Sequence, residues 1–545
     1  MTHGQKLLRV SRAPAARQCT VALAISAAIS ATSVALATPG GIGLSQLNTL
    51  NPSITGAGVN VAQVEASMHN PPPPDLFEVN PAYVGQPVSK FTYIDYQGNT
   101  TTTYSSANYS SHASAVGADF YGTGTGTDTA SGVAPGVATI SNYDAGSFAG
   151  NNIGLTENAV TQMLSPTTNQ NQTANNAAVI NQSFIFGIPT SFTPAQGNTY
   201  IQNIDWGYDS YVNKFNTIIV SAVGNYPTAP NTTPASFINP PATAYNSIAV
   251  GSYNGGPNST EVGPTFDGRS KPDIVAPGSE TSYATPLVSG AAALLVQAGN
   301  VGIGYAPSSG WTQSTYQTNS VQAQTIKAFL LNGAVQPAGW HHTATAPLDT
   351  HYGAGVLNVY NAYQNLAAGR VGFSATNTST TALDTPTITQ GTGWDYETLL
   401  NNGPVTLPNP TTFVDHYVFT ALAGGAGSSD SFKATLVWNA QTNSATFTEK
   451  QTPIFLELYN AATGSLVSES VSTVDNVQQV DAVLTPGTNY DLQVLTSGGN
   501  FVAQDPFALA FSTTVNTPEP SGIALLGVAA GLCAMVALRQ RFRRA

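Results

Sequence analysis

Short apolar runs separated by longer mixed stretches fill the first two thirds of the chain, and the pattern changes after about residue 370. Residues 56–65 read as a tight turn followed by a short, largely apolar strand ending on Glu65. Residues 177–184 and 216–225 repeat the pattern, the first running into a loop and the second ending in Gly224-Asn225. Strands that are apolar on both sides belong inside a parallel sheet, and catalytic groups collect where such strands end. Residues 279–295 predict a loop that turns into a helix of small and apolar side chains, with no polar face after Ser289. Such a helix lies in the middle of a domain. A further helix is expected over residues 325–332, whereas residues 70–110, first Pro-rich and then rich in Thr, Ser and Tyr, read as loops. The alternation implies an α/β fold, doubly wound, with a mainly parallel sheet flanked by helices. Beyond residue 370, short alternating strands at 416–419, 432–438, 454–459 and 490–494 are separated by turn clusters, the spacing of an all-β sandwich or jelly roll.

The ends differ from the middle. Half of the 16 basic residues are Lys6, Arg9, Arg12, Arg17, Arg539, Arg541, Arg543 and Arg544, while all 28 acidic residues lie between them. The intervening chain therefore carries eight basic against 28 acidic residues, a net of −20. That charge argues against nucleic acid or an anionic membrane as the main partner. Residues 1–37 have the basic start, apolar run and small-residue Ala35-Leu36-Ala37 end of a signal peptide. The two cysteines, Cys19 and Cys533, fall in that segment and in the apolar C-terminal tail, so a chain lacking both has neither disulfide nor cysteine metal site.

Ser282 stands just upstream of the small-residue helix, where unpaired N–H groups and the positive dipole end point at whatever binds. A hydroxyl placed there is a candidate nucleophile, with backbone donors at hand for an oxyanion; an Ala-rich core helix with a serine cap is the plainer alternative. Thr281-Ser282-Tyr283-Ala284-Thr285-Pro286-Leu287-Val288-Ser289-Gly290 also resembles the nucleophile motif of the subtilisin-like serine peptidases. That family normally has Gly where this chain has Glu280. His112-Ala113-Ser114-Ala115-Val116-Gly117-Ala118 resembles the family's histidine motif, and 132–140 its next strand entry. His69 is the rival base but lacks the Val-Gly-Ala helix start. The resemblance sets Glu65 where the family has its aspartate, to orient His112 and stabilise its imidazolium. It sets Asn225 as the oxyanion-hole amide, and Ser183, Phe184, Ser221, Ala222, Val223 and Gly224 as the walls that bind substrate. Residues 268–278 are the most specific match after the nucleophile itself, and 348–355 resemble the family's terminal segment. The motifs occur in the family's acid-His-Ser order, over about residues 42–366.

The expected organisation is a signal peptide at 1–37, a peptidase domain at 38–366 that the resemblance implies to be subtilisin-like, a β-sandwich accessory domain at 367–516 and a tail at 517–545. The tail begins Pro518-Glu519-Pro520, continues as an apolar run and ends in an arginine cluster. It looks like a PEP-CTERM sorting tail, transiently membrane-anchored and removed by an exosortase-like enzyme at the envelope; a plain C-terminal anchor is the alternative. The expected protein is an exported serine endopeptidase of a bacterial cell envelope or secretome, acting on proteins and peptides through a Glu65-His112-Ser282 triad. Its partners would include the export machinery and the sorting enzyme. No cofactor is required, and a structural calcium ion stays open. A catalytically inactive protein of the same fold, binding through its β domain, is the rival. Cleavage after Ala37 would leave only residues 38–55 before the Gly56 turn, too few for an inhibitory pro-domain with its own core, so folding without one is expected.

Overall fold

The computed structural model describes residues 41–67, 75–167, 172–225, 232, 237–255, 259–399, 413–422, 429–450, 452–496 and 505–516. The signal peptide, His69 and the tail lie outside these described residues. In chain order the first strands are β1 (Asn60–Glu65), β2 (Phe91–Ile94), β3 (Thr100–Thr101), β4 (Thr139–Asp144), β5 (Leu155–Glu157), β6 (Leu164–Pro166), β7 (Val179–Gln182), β8 (Ile218–Ala222), β9 (Ile248–Ser252) and β10 (Ile274–Ala276). β5 and β6 form a separate hairpin, and the others make one sheet in the order β10-β9-β8-β7-β1-β4-β2-β3. Every pairing is parallel except β2 with the edge strand β3. The strand order reverses direction beside β1, and at such a switch point a crevice opens outside the carboxyl ends of the strands. β7 and β8 are buried along their whole length, and β1 at all but its first residue. That burial on both faces explains their apolar residues, and it encloses the polar Gln63, Glu65, Asn181, Gln182 and Ser221 with them.

Residues 70–110 depart from the loop expectation. They contain the short helix Pro81–Val84 and the sheet strand β2. Phe91-Thr92-Tyr93-Ile94 is only four residues long between polar segments; its strand character comes from pairing with β4 rather than from a local period. The helix Thr281–Asn300 is almost entirely buried, as its composition requires, and packs on helix Ser111–Tyr121 and on β7, β8 and β9. Residues ahead of β1 belong to the same body. Gln297 in that buried helix accepts from the N–H groups of Thr55, Gly56 and Ala57 through its Oε1, which fixes the turn into β1.

The later strands are β11 (Ala375–Asn377), β12 (Thr392–Thr398), β13 (Phe413–Thr420), β14 (Ser429–Trp438), β15 (Gln441–Asn443), β16 (Thr448–Lys450), β17 (Ile454–Asn460), β18 (Ser465–Ser470), β19 (Val477–Leu484), β20 (Asn489–Thr496) and β21 (Pro506–Asn516). They form two antiparallel sheets, β11-β13-β20-β17-β18 and β12-β21-β14-β19, with the small hairpin β15-β16 beside them. The core between the sheets includes Tyr417, Phe432, Leu456, Leu492, Leu509 and Phe511. Among the described residues no helix is long and apolar enough to cross a membrane.

Candidate active site

Glu65 is the last residue of β1, level with Asp144 on β4, and is 1% exposed. Its Oε2 accepts from His112 Nδ1 at 2.8 Å. Its Oε1 accepts from Gln63 Nε2 at 2.8 Å, and the same amide nitrogen donates to the Ala113 carbonyl at 2.8 Å. Tyr121 closes the set by donating its hydroxyl to Gln63 Oε1 at 2.5 Å. Both carboxylate oxygens are thus held from fixed elements, which accommodates the longer glutamate side chain. Gln63 precedes Glu65 by two positions, so the alternation of a strand puts both on one face.

His112 is the second residue of helix Ser111–Tyr121, whose N-cap Ser110 accepts from the Ala113 N–H at 3.1 Å. Burial pushes its proton affinity down, but the hydrogen bond to Glu65 and the charges of Glu65 and Glu280 outweigh this and raise its pKa. Its ring stands 6.0 Å from that of Tyr283, in the first turn of the Ser282 helix.

Ser282 is the second residue of helix Thr281–Asn300 and is 8% exposed. Its N–H is a first-turn donor without an intrahelical acceptor. Pro286 lies inside the same helix, and a proline removes the N–H that would have served the carbonyl four residues back, here that of Ser282. Ser183 replaces it: its Oγ donates to the Ser282 carbonyl at 2.9 Å, and Ser282 Oγ donates to the Ser183 carbonyl at 3.3 Å. Among the described residues no hydrogen bond joins Ser282 to His112. Nucleophile–base bonds of this kind are often long in the free enzyme and tighten with substrate bound.

Asn225 follows β8 and caps the Ser282 helix from outside. Its Oδ1 accepts from the Thr281 N–H at 2.9 Å and from Thr281 Oγ1 at 2.7 Å, while its Nδ2 donates to Glu280 Oε2 at 3.4 Å. Of the expected substrate walls, Ser183, Ser221, Ala222 and Val223 are nearly inaccessible, and Phe184 packs edge-on against Phe186 with ring centres 5.3 Å apart. Gly224 has φ 113°, a conformation that favours glycine. A Cβ there would clash with the Glu261 carboxylate. Glu261 itself is 2% exposed, accepts from Asn239 Nδ2 at 2.7 Å, and is pushed up to about 8 by burial. The structure bonds Glu65 to His112 and Asn225 to Thr281 and Glu280 at the head of the Ser282 helix, while sequence reasoning missed Gln63 and Glu261. The strand period points to Gln63; Glu261 sits on a loop remote from the motifs and carries no such signal. Among the described residues no group of three or more His, Cys, Asp or Glu is arranged to hold a metal ion.

Residues 74–355, more than half of the 545, match the Subtilase family, and the chain belongs to that family of serine peptidases. His112, Asn225 and Ser282 fall inside the matched segment; Glu65 precedes it. No curated protein matches the chain. Among solved structures, tripeptidyl peptidase 2 aligns at 14% identity with a TM-score of 0.30, covering 78% of this chain and 42% of its own. The chain thus spans less than half of that relative's length. Two smaller matches are CBM51 from Clostridium perfringens GH95 in complex with methyl-galactose and the epithelial adhesin 6 A domain from Candida glabrata in complex with Galb1-3GlcNAc. The first has 13% identity, a TM-score of 0.15 and coverage of 26% of this chain and 94% of its own. The second has 11% identity, a TM-score of 0.12 and coverage of 21% and 46%.

Proposed function

We propose that the protein is an exported serine endopeptidase that cleaves peptide bonds through an acyl-enzyme on Ser282. His112 takes the Ser282 proton as the hydroxyl attacks the scissile carbonyl, then passes it to the leaving amine. Glu65 holds His112 in the tautomer that leaves Nε2 free to accept and stabilises the imidazolium. The oxyanion is received by the Ser282 N–H and the Asn225 side-chain amide. The observation that carries this reading is the 2.8 Å Glu65–His112 contact at the carboxyl edge of the sheet, beside the first turn of the Ser282 helix. The basic, apolar N-terminal segment and the Pro-Glu-Pro tail support passage through the envelope and processing there.

Labelling with an active-site fluorophosphonate tests the chemistry. Wild type should label and Ser282→Ala should not, with unchanged thermal unfolding; equal labelling of both would place the nucleophile elsewhere. Asn225→Ala should lower kcat by about a hundred- to a thousandfold, the usual worth of one oxyanion donor. A second reading, a silent binding protein of the same fold, is favoured by the bonds that engage Ser282 Oγ with Ser183 and Asn225 Nδ2 with Glu280. A folded wild type that never labels would decide for it.

A further inference from the structure

The oxyanion amide has a competitor. Asn225 Oδ1 is pinned by two donors from Thr281, so its amide plane is fixed and Nδ2 stays aimed at Glu280 Oε2, 3.4 Å away. Glu280 is half-buried at the head of the Ser282 helix, and its charge is felt by His112 and Tyr283. A second carboxyl, Glu261, abuts the backbone of neighbouring Gly224. An anionic Glu280 occupies the donor that the tetrahedral intermediate needs and repels its negative charge. Turnover therefore requires that the carboxylate be neutralised or drawn aside. A cation carried in by the substrate serves both needs at once: it pairs with the carboxylate and withdraws it from Asn225 Nδ2.

We propose that Glu280 is a specificity-determining latch, released by a lysine or arginine side chain on the substrate residue whose carbonyl Ser282 attacks. The inference rests on the Ser282 nucleophile proposed above. The net acidity of the chain between its basic ends would favour the approach of such peptides.

The test uses the full chain and a pair of peptide anilides that differ only in arginine or citrulline at the residue donating the scissile carbonyl. Citrulline keeps the shape and removes the charge. Wild type should prefer arginine by at least about tenfold in kcat/KM, with the difference chiefly in kcat, because the latch opposes the transition state. Glu280→Gln and Glu280→Gly should bring the ratio close to one by raising kcat on the citrulline peptide. A wild-type ratio within about twofold, or a preference that survives in both variants, would overturn the latch. Fluorophosphonate labelling run in parallel separates the two levels. A flat ratio in an enzyme that labels at Ser282 removes only the latch, whereas absence of labelling in wild type and both variants removes the nucleophile as well.

Discussion

Glu65 meets His112 through Oε2 while Gln63, itself held by the Tyr121 hydroxyl, donates to Oε1, so orientation is built by three residues rather than one. Glu65→Gln keeps the shape but lets the amide support the wrong histidine tautomer, and should cost about 10³–10⁴-fold in kcat. Full activity in that variant would mean that another acid orients the base. Glu65→Asp, one methylene shorter, should also fall well below wild type. The pH profile gives a separate readout. His112 acts as a base only when neutral, and its raised pKa puts the acidic limb of kcat/KM above the ordinary imidazole range. Any residual activity of Glu65→Gln should show that limb moved to lower pH, because the anion that holds the proton is gone; an unmoved limb would detach Glu65 from His112. Glu280 acts on the opposite side. At an effective dielectric of about 20, two like unit charges about 4 Å apart repel by about 4 kcal/mol. A latch of that order is large enough to govern which substrates turn over.

At the level of elements, the Ser282 helix is tied to the sheet at the carbonyl whose backbone bond its internal proline removes. Pro286 leaves the Ser282 carbonyl without its helical donor, and Ser183, the residue just after β7, supplies one from another layer of the fold. Asn181 on β7 reinforces this join by donating to Ser183 Oγ at 3.0 Å and accepting from Ser289 Oγ at 2.9 Å. Ser183→Ala should destabilise by about 1–2 kcal/mol by stranding a buried carbonyl. In a Pro286→Ala background, where the helix can supply its own donor, the cost should shrink. A denaturation double-mutant cycle measures that coupling, and strict additivity would show that the two residues act independently. The same helix shows what was legible in the sequence. Its small apolar run announces itself because burial on all sides leaves no polar face, and the buried strands β1, β7 and β8 do so through their Val, Ile and Ala residues. β2 does not, because Phe91-Thr92-Tyr93-Ile94 lies within a stretch that is Pro-rich and then rich in Thr, Ser and Tyr, with no adjoining apolar run. The Asn225–Glu280 contact also escapes, since its partners are 55 positions apart and meet only once β8 and the Ser282 helix are in place. The acid-histidine pair was readable from its motifs, but the Gln63 brace needed the strand geometry.

Across the whole molecule, the β12-β21-β14-β19 sheet packs on the peptidase domain. Helix Ala323–Gly333 lies against β14 and β21, and Trp394 of β12 meets Trp311, Tyr316 and Phe329 with ring centres 5.8, 5.2 and 5.5 Å away. Arg370 stacks over Trp311 at 4.2 Å while pairing with Asp395 at 2.8 Å. Loss of Trp394 to alanine should therefore cost about 3–5 kcal/mol. This body encloses many carboxyls, and they decide how stability follows pH. Burial raises Glu261 to about 8, Asp415 to about 7 and Asp475 to about 6. In the unfolded chain such groups give up their protons near pH 4. Between those limits the native state binds more protons than the unfolded state, so the stability they contribute is complete at low pH and is lost as pH rises through 6 to 8. His112, also raised, works in the same direction. Lys327 and Lys433, lowered to about 8, have the opposite sign, but their window opens above pH 8. Asp273, lowered by Lys271 and Lys327 against its burial, matters only in stronger acid. Thermal unfolding of the Ser282→Ala protein, chosen to exclude self-digestion, should thus give a higher midpoint at pH 5 than at pH 8. Glu261→Gln, which removes the highest-titrating of these three carboxyls, should flatten the fall between pH 7 and 8 in particular. A midpoint that climbs from pH 5 to pH 8 would mean that these carboxyls are ionised in the native protein, each with a cation or water as partner, and that the buried acids do not set its pH response.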